Sequence, residues 1–224
     1  MIITIDGPTA SGKSTVAKLL AQRIGFFHLN SGLLYRGIAY ILVHDFHYDP
    51  LRLADPAQAD LDEIMLKGWL EYDYVNGQAR VMYRGQDITP FLKTKDMDNY
   101  ASISSASYQV RAALLALQQR VASKANVVAE GRDTGTKVFP HAQLKIFLTA
   151  SLKERAHRWQ YFMHHQGKDY SLDQSMQMIN ERDQRDISRT VAPLMPAADA
   201  IIIDSTELSL EEVIAKIAEL YSKI

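Results

Sequence analysis

Ile2-Ile3-Thr4-Ile5-Asp6-Gly7-Pro8-Thr9-Ala10-Ser11-Gly12-Lys13-Ser14 decides how the rest of this chain is read. Its first four residues are an apolar, largely β-branched run of the kind that forms a buried strand, and Asp6-Gly7-Pro8 stops it. Beyond Gly12 the period changes. Val16, Leu19, Leu20 and Ile24 recur at helical spacing, which predicts a helix over Lys13–Ile24 with Gly25 as its C-terminal cap. Between strand and helix, Gly7 to Ser14 match the phosphate-loop pattern G-x-x-x-x-G-K-[ST] in full. Gly7 and Gly12 let the backbone turn tightly and approach phosphates, so that successive N–H groups of Gly7, Pro8, Thr9, Ala10, Ser11 and Gly12 (proline lacking one) surround oxyanions. The helix that follows turns its positive dipole end toward them. Lys13 is placed to reach β- and γ-phosphates, and the Ser14 hydroxyl to bind Mg²⁺. A chance match turns up in roughly one chain in a hundred of this length, and the strand before and helix after make chance a poorer account still.

Working outward, short apolar runs at 126–129, 144–148 and 200–203 read as buried strands, and 26–29 as a fifth. Helical patterns at 108–121 and Leu210–Tyr221 separate most of them. Strands alternating with helices predict an α/β fold with a parallel sheet covered on both faces. Two stretches depart from that alternation. Residues 69–89 read as two or three short strands with a hairpin at Asn76-Gly77 and a second turn at Arg84-Gly85-Gln86-Asp87, a small antiparallel insert. Residues 152–189 read as two polar helices interrupted near Gly167-Lys168-Asp169.

The 224 residues suit one domain, or one core with excursions, and 47% apolar and 23% charged residues are ordinary for a globular protein. With 25 basic and 26 acidic side chains the formal net charge is -1, so no overall field marks the chain for nucleic acid or an anionic membrane, and phosphate-binding charge must be concentrated locally. The chain has no cysteine, which excludes disulfide, zinc-thiolate and thiol chemistry. No apolar run approaches the roughly 18–20 residues of a membrane helix, and the N-terminus does not resemble a signal peptide, so a cytoplasmic location is the default expectation.

A second strand end carries acids: Glu130-Gly131-Arg132-Asp133 follows the 126–129 run directly. Ligands of open α/β sheets sit outside the carboxyl ends of strands, so Glu130 and Asp133 are expected at the Mg-phosphate region with Arg132 beside them. A solvated turn is the plainer alternative. Further on, Arg182, Asp186 and Arg189 fall at i, i+4 and i+7, one helix face, with Arg185 close to it. An exposed helix with i,i+4 ion pairs explains such a run by itself. In a phosphoryl-transfer protein, arginines on a mobile element stabilise charge on the transferring group and shut out water. Arg155 and Arg158 are weaker candidates of the same kind. On the acceptor side, Ser31 and Arg36 follow the second strand, and Ser102 and Arg111 open and populate a later helix. All four fit anion binding or ordinary capping and surface roles equally well. The seven histidines form no metal-ligand pattern, and Tyr161-Phe162-Met163 reads as packing.

Taken together, these motifs resemble the bacterial cytidylate kinase family over nearly the whole chain. The resemblance is carried by Ile5-Asp6-Gly7-Pro8 with Gly12-Lys13-Ser14-Thr15, by Ser31-Gly32 with Tyr35-Arg36, and by Glu130-Gly131-Arg132-Asp133 with Gly135-Thr136. It continues through Glu181-Arg182-Asp183, Arg185-Asp186, Arg189, Val191-Ala192-Pro193-Leu194 and Pro196-Ala197-Ala198-Asp199. It implies a P-loop three-layer αβα core with a parallel five-stranded sheet (residues 1–29, 100–151 and 190–224), a monophosphate-binding region with the β insert (30–99) and a helical lid (152–189). It implies Mg-ATP as phosphate donor, CMP or dCMP as acceptor, and a monomer with no nucleic-acid or membrane partner. By position, Ser31, Arg36, Ser102, Arg111, Arg132, Asp133, Arg182 and Asp186 match the family's monophosphate-binding residues. Lys13, Arg132, Arg182 and Arg189 become the catalytic set, Thr15 and Arg158 join the ATP site, and Ser14 and Glu130 hold the metal. Two positions depart from the pattern. Asn30 replaces an Asp, which removes a carboxylate near the phosphate loop, and Trp159 replaces a second arginine after Arg158, which removes a lid charge.

The residues alone leave open a P-loop kinase for another acceptor, such as shikimate or a different nucleotide, and a non-kinase nucleotide-binding module. An Asn-Lys-x-Asp guanine motif is absent. Lys13→Ala is expected to abolish turnover with circular dichroism unchanged; near-native activity in this variant refutes the phosphate-loop assignment.

Overall fold

A computed structural model describes residues 1–224, apart from the side chain of Lys95. In chain order the first elements are β1 (Ile2–Asp6), α1 (Lys13–Ile24), β2 (Phe27–Asn30), α2 (Ser31–His44), α3 (Pro50–Ala54), α4 (Gln58–Leu66), β3 (Leu70–Val75), β4 (Gln78–Tyr83), β5 (Gln86–Asp87) and α5 (Lys95–Ser104). They are followed by α6 (Tyr108–Ala122), β6 (Val127–Gly131), β7 (Leu144–Thr149), α7 (Leu152–His164), α8 (Leu172–Ser188), β8 (Ile201–Asp204) and α9 (Leu210–Tyr221). The main sheet has five strands in the order β2-β6-β1-β7-β8, and β3-β4-β5 form a separate three-stranded sheet. The predicted parallel five-stranded α/β core with a small antiparallel insert is therefore what the chain builds.

The chain divides into two compact units, residues 1–26 with 127–224, and residues 27–126. In the first, β1 lies between β6 and β7 in parallel register, with Ile5 opposite Glu130 and Ile146, and Asp6 opposite Gly131 and Phe147. This register brings the carboxyl end of β1, where the glycine loop begins, level with Glu130-Gly131. Ile3 and Ile5 are fully buried against Val128, Ile146 and Leu148 of the neighbouring strands, Val16 and Leu20 of α1, and Val213 and Ile217 of α9. Each such side chain contributes about 1.5–3 kcal/mol by leaving water. α9 starts at a capping box in which Ser209 and Glu212 satisfy each other's backbone N–H groups, the reason its beginning is sharp.

In the second unit α2 is apolar on most of its surface, burying Leu33, Leu34, Ile38, Ile41 and Leu42. Asn30 caps it: its side chain accepts from Leu33 N at 3.0 Å. The antiparallel insert is registered by a turn with positive φ at both Asn76 and Gly77, as the Asn-Gly signal requires. Tyr83 Oη donates to Asp45 Oδ2 at 2.7 Å, just past the end of α2, and Trp69 lies under the Arg84 guanidinium at 3.8 Å. One reading from the sequence is corrected. Ser102 does not open a helix but sits in the last turn of α5, and α6 is capped by Ser107, which accepts from Val110 N. Residues 102–107 contain four serines, each a plausible cap, and pattern cannot choose among them. No helix among the described residues is long and apolar enough to cross a membrane.

Candidate active site

The glycine loop is shaped by close contact and by backbone conformation. A Cβ on Gly7 would fall 2.0 Å from the Leu148 carbonyl oxygen, so only glycine fits against β7 there. Gly12 caps α1 in the left-handed region, φ 86. Ala10 also has positive φ, 58, a conformation that costs an L-residue about 1–2 kcal/mol and that persists only where surroundings impose it. Lys13 is buried and donates from Nζ to Pro8 O at 3.0 Å. Ser14 Oγ donates to Glu130 Oε2 at 2.7 Å. Glu130 is 2% exposed, so it is no solvated turn residue. A hydroxyl and a carboxylate so placed are oxygen ligands of the kind a hard divalent cation takes. No group of three or more His, Cys, Asp or Glu with metal-binding geometry occurs among the described residues.

The strand β6 leads into Arg132 and Asp133, and then into a π-helical turn over Thr134–Val138. Asp6, at the end of β1, holds that turn: its carboxylate accepts from Thr134 N, Thr134 Oγ1 and Gly135 N at 2.7–2.9 Å. Burial pushes the Asp6 carboxyl up to about 6, against the pull of those hydrogen bonds.

Arg132 Nε donates to Asp186 Oδ2 at 2.8 Å, and its Nη2 to Thr9 Oγ1 at 3.3 Å. Arg189 approaches Asp186 at 3.5 Å and Asp133 at 3.8 Å. Arg132, Asp133, Asp186 and Arg189 are thus one cluster, and its arginine Arg132 touches the phosphate loop. Burial alone would raise the Asp186 carboxyl, yet the Arg132 and Arg189 guanidinium groups outweigh it and hold the group below the usual carboxylate range. Arg182 acts electrostatically on both Asp186 and Lys13. Burial draws the Lys13 ammonium down to about 7, and nearby Arg132 and Arg182 add to the effect against Glu130. Cations and carboxylates are therefore gathered together at this place in a chain of net charge -1.

Other predicted residues fall as follows. Arg158 donates to Ser11 O at 3.3 Å and to Ser205 O at 2.7 Å, and pairs with Glu154. It lines a cavity of about 580 Å³ that runs from Ala10–Val16 to Trp159, Phe162, Leu208, Leu210 and Val213. Thr15 lies on the same wall. Phe162, half exposed, is thus a cavity residue, and of the Tyr161-Phe162-Met163 trio only Met163 is buried packing. Arg155 is not a free charge for a ligand: it is buried, donates from Nη1 to Thr9 O at 2.9 Å, and pairs with Asp183. Arg185 is exposed, and Arg189 lies just past the end of α8 as its C-cap. In the other unit, Ser31 is buried in the first turn of α2, and Arg36 Nε donates to Asp98 Oδ1 at 2.8 Å. Arg111 is buried, donates to Ser105 O at 2.6 Å, and lies over the Tyr35 ring. Ser102 is half-buried.

Sequence reasoning passed over Asp6 and Asp183. Asp183 is 4% exposed, and its Oδ1 accepts from Thr9 N at 2.8 Å. The signal available for it was modest: it lies one position from Arg182 in a run, Asn180 to Arg189, where six of ten residues are charged.

The family model described as "Cytidylate kinase" matches residues 3–223. The chain belongs to the cytidylate kinase family. It is 38% identical over 222 residues to a protein named cytidylate kinase from Caldicellulosiruptor bescii, covering 99% of this chain and 96% of that one. It is 42% identical over 218 residues to the cytidylate kinase of Thermotoga maritima, covering 97% and 95%. It is 41% identical over 216 residues to that of Edwardsiella ictaluri, covering 96% and 93%. Among solved structures, an uncharacterized protein from Eubacterium ventriosum superposes with a TM-score of 0.52 at 14% identity, covering 100% of this chain and 99% of that one, a likeness of fold. The chain is accordingly a kinase, an enzyme that transfers phosphoryl groups.

The lowered Lys13 pKa carries a linkage. The group binds its proton in the unfolded chain up to about 10.5 but in the fold only up to about 7, so its contribution to stability rises with pH across that window. Contact with a polyanion restores the charged form. At pH 8, ATP binding should therefore take up close to one proton, and at pH 6 almost none from this group. Calorimetry in two buffers of different ionisation heat measures it; uptake that is the same at both pH values, or that survives in Lys13→Arg, removes Lys13 as its source.

Proposed function

We propose that this enzyme transfers the γ-phosphoryl group of ATP to CMP or dCMP, giving ADP and CDP or dCDP. The observation that carries the reading is Arg132, whose guanidinium joins the lid carboxylate Asp186 to the phosphate-loop residue Thr9. An arginine held this way reaches from the donor loop toward an acceptor phosphate. The family's name and those of its relatives support cytosine as the acceptor base.

In this reading, the loop amides and Lys13 hold the donor phosphates, and the adenine end lies in the cavity walled by Trp159, Phe162 and Leu210. Ser14 and Glu130 are the residues that would hold Mg²⁺, which when bound neutralises charge on the β- and γ-phosphates. Ser31, Arg36, Ser102, Arg111, Arg132, Asp133, Arg182 and Asp186 are the residues assigned to the acceptor, each by its match to the family pattern. An oxygen of the acceptor phosphate attacks the γ-phosphorus as the bond to the β–γ bridging oxygen breaks. The attacking group has a second pKa of about 6 and is already ionised near pH 7, so no general base is required. Arg182 and Arg189 stabilise charge spread over the transferring oxygens. Donor loop and arginine cluster belong to one chain, which supports action as a monomer, and the cytoplasm is where its nucleotide substrates are available.

ADP release from Mg-ATP should be strong with CMP and dCMP, weak with UMP, and absent with dTMP, AMP, GMP and shikimate. Turnover on another acceptor overturns the cytidylate reading, and hydrolysis independent of acceptor overturns the kinase reading. Arg182→Ala should lower kcat/KM about 10- to 150-fold, the equivalent of roughly 1.5–3 kcal/mol for a hydrogen bond to a charged group. An unchanged value removes Arg182 from the catalytic set.

A further inference from the structure

Thr9 is gripped by side chains from three separate places. Its N–H donates to Asp183 Oδ1 from α8 at 2.8 Å. Its carbonyl accepts from Arg155 Nη1 of α7 at 2.9 Å. Its hydroxyl accepts from Arg132 at 3.3 Å. Arg155 and Asp183 pair with each other, and Thr9, Arg155 and Asp183 are 6%, 8% and 4% exposed. Arg155 is further braced on Ala150 O.

We propose that the buried Asp183–Arg155 pair is a positioning device that fixes the phosphate loop from the lid helices, so that loop geometry competent for transfer depends on α7 and α8. The peptide unit between Pro8 and Thr9 is the reason. Its N–H is taken by Asp183, and its carbonyl accepts Lys13 Nζ at 3.0 Å. Asp183 therefore orients the same peptide plane that holds the phosphate-binding lysine. Arg155 fixes the next plane, between Thr9 and Ala10, and Ala10 is the loop residue kept at φ 58. The two fixed planes flank Thr9 and set its φ and ψ, and the second of them is also the plane from which Ala10 makes its turn into the left-handed region. Replacing a buried ion pair by apolar residues is often neutral or better for stability, so stability is a weak account of this one. The device deepens the phosphotransfer reading and rests on it.

The test compares wild type, Asp183→Asn, and the double variant Asp183→Ala/Arg155→Met, which removes both charges together and leaves none buried alone. Asn keeps an oxygen for the Thr9 N–H. Under the proposal the double variant keeps its circular dichroism and an acceptor KM within about twofold. Its kcat falls about 10- to 100-fold, the scale of a loss of positioning of ~1 Å, its KM for ATP rises, and Asn recovers most of the loss. A folded double variant with wild-type kcat and KM for ATP overturns the proposal. So does a loss that matches a reduced active fraction on nucleotide titration with both KM values unchanged, which is what a purely structural role gives. If wild type transfers to no nucleoside monophosphate, the functional reading fails separately. Binding of Mg-ATP alone still tests the device then, with weaker binding in the double variant expected and equal binding against it.

Discussion

A loop that turns its amides toward a polyanion gives up the hydrogen bonds that would otherwise hold its own shape. In the loop from Gly7 to Ser14 the internal turn bond, Ser11 N to Pro8 O, is long at 3.4 Å. The shape must therefore be imposed from outside. Here the Leu148 carbonyl stands where a side chain of residue 7 would be, Asp183 and Arg155 take the two backbone groups of Thr9, and Glu130 takes the Ser14 hydroxyl. Much of the remaining architecture brings these partners to their places. The parallel register of β1 with β6 and β7 sets Glu130 and Leu148, and the two helices 152–164 and 172–188 supply Arg155 and Asp183.

Charge balance follows from the same need. Lys13, Arg132, Arg182 and Arg189 gather at one point; burial is the main cause of the lowered Lys13 pKa, and repulsion from Arg132 and Arg182 adds to it. The carboxylates of Glu130, Asp133, Asp183 and Asp186 are interleaved among them. Asp186 between Arg132 and Arg189 is the clearest case: two guanidinium groups are oriented by one fixed anion, which leaves each little rotamer freedom.

The strands, the first and last helices and the hairpin were legible because their signals are local: a change of period at Gly12, apolar spacing over Leu210–Tyr221, Asn-Gly at 76–77. So was the phosphate loop, whose chemistry is written in eight consecutive residues. What stayed hidden depends on partners far away in sequence. Asp183 reads as one more charge on a polar helix until its bond to Thr9, 174 positions off, is seen. Arg155 reads as a ligand for phosphate until its guanidinium is found spent on a carbonyl and a carboxylate. Asn30, which departs from the family pattern, has a local use that explains its fit, capping the helix that bears Ser31 and Arg36.

The two tryptophans fall one to each compact unit. Trp159 lines the cavity beside the phosphate loop, and Trp69 lies in the insert between the cations of Lys67 and Arg84. Indole emission is sensitive to stacking and to adjacent charge, so the molecule carries two optical reporters with separate subjects. Keeping one tryptophan at a time makes the cavity beside the phosphate loop and the β insert spectroscopically distinct, with no label attached.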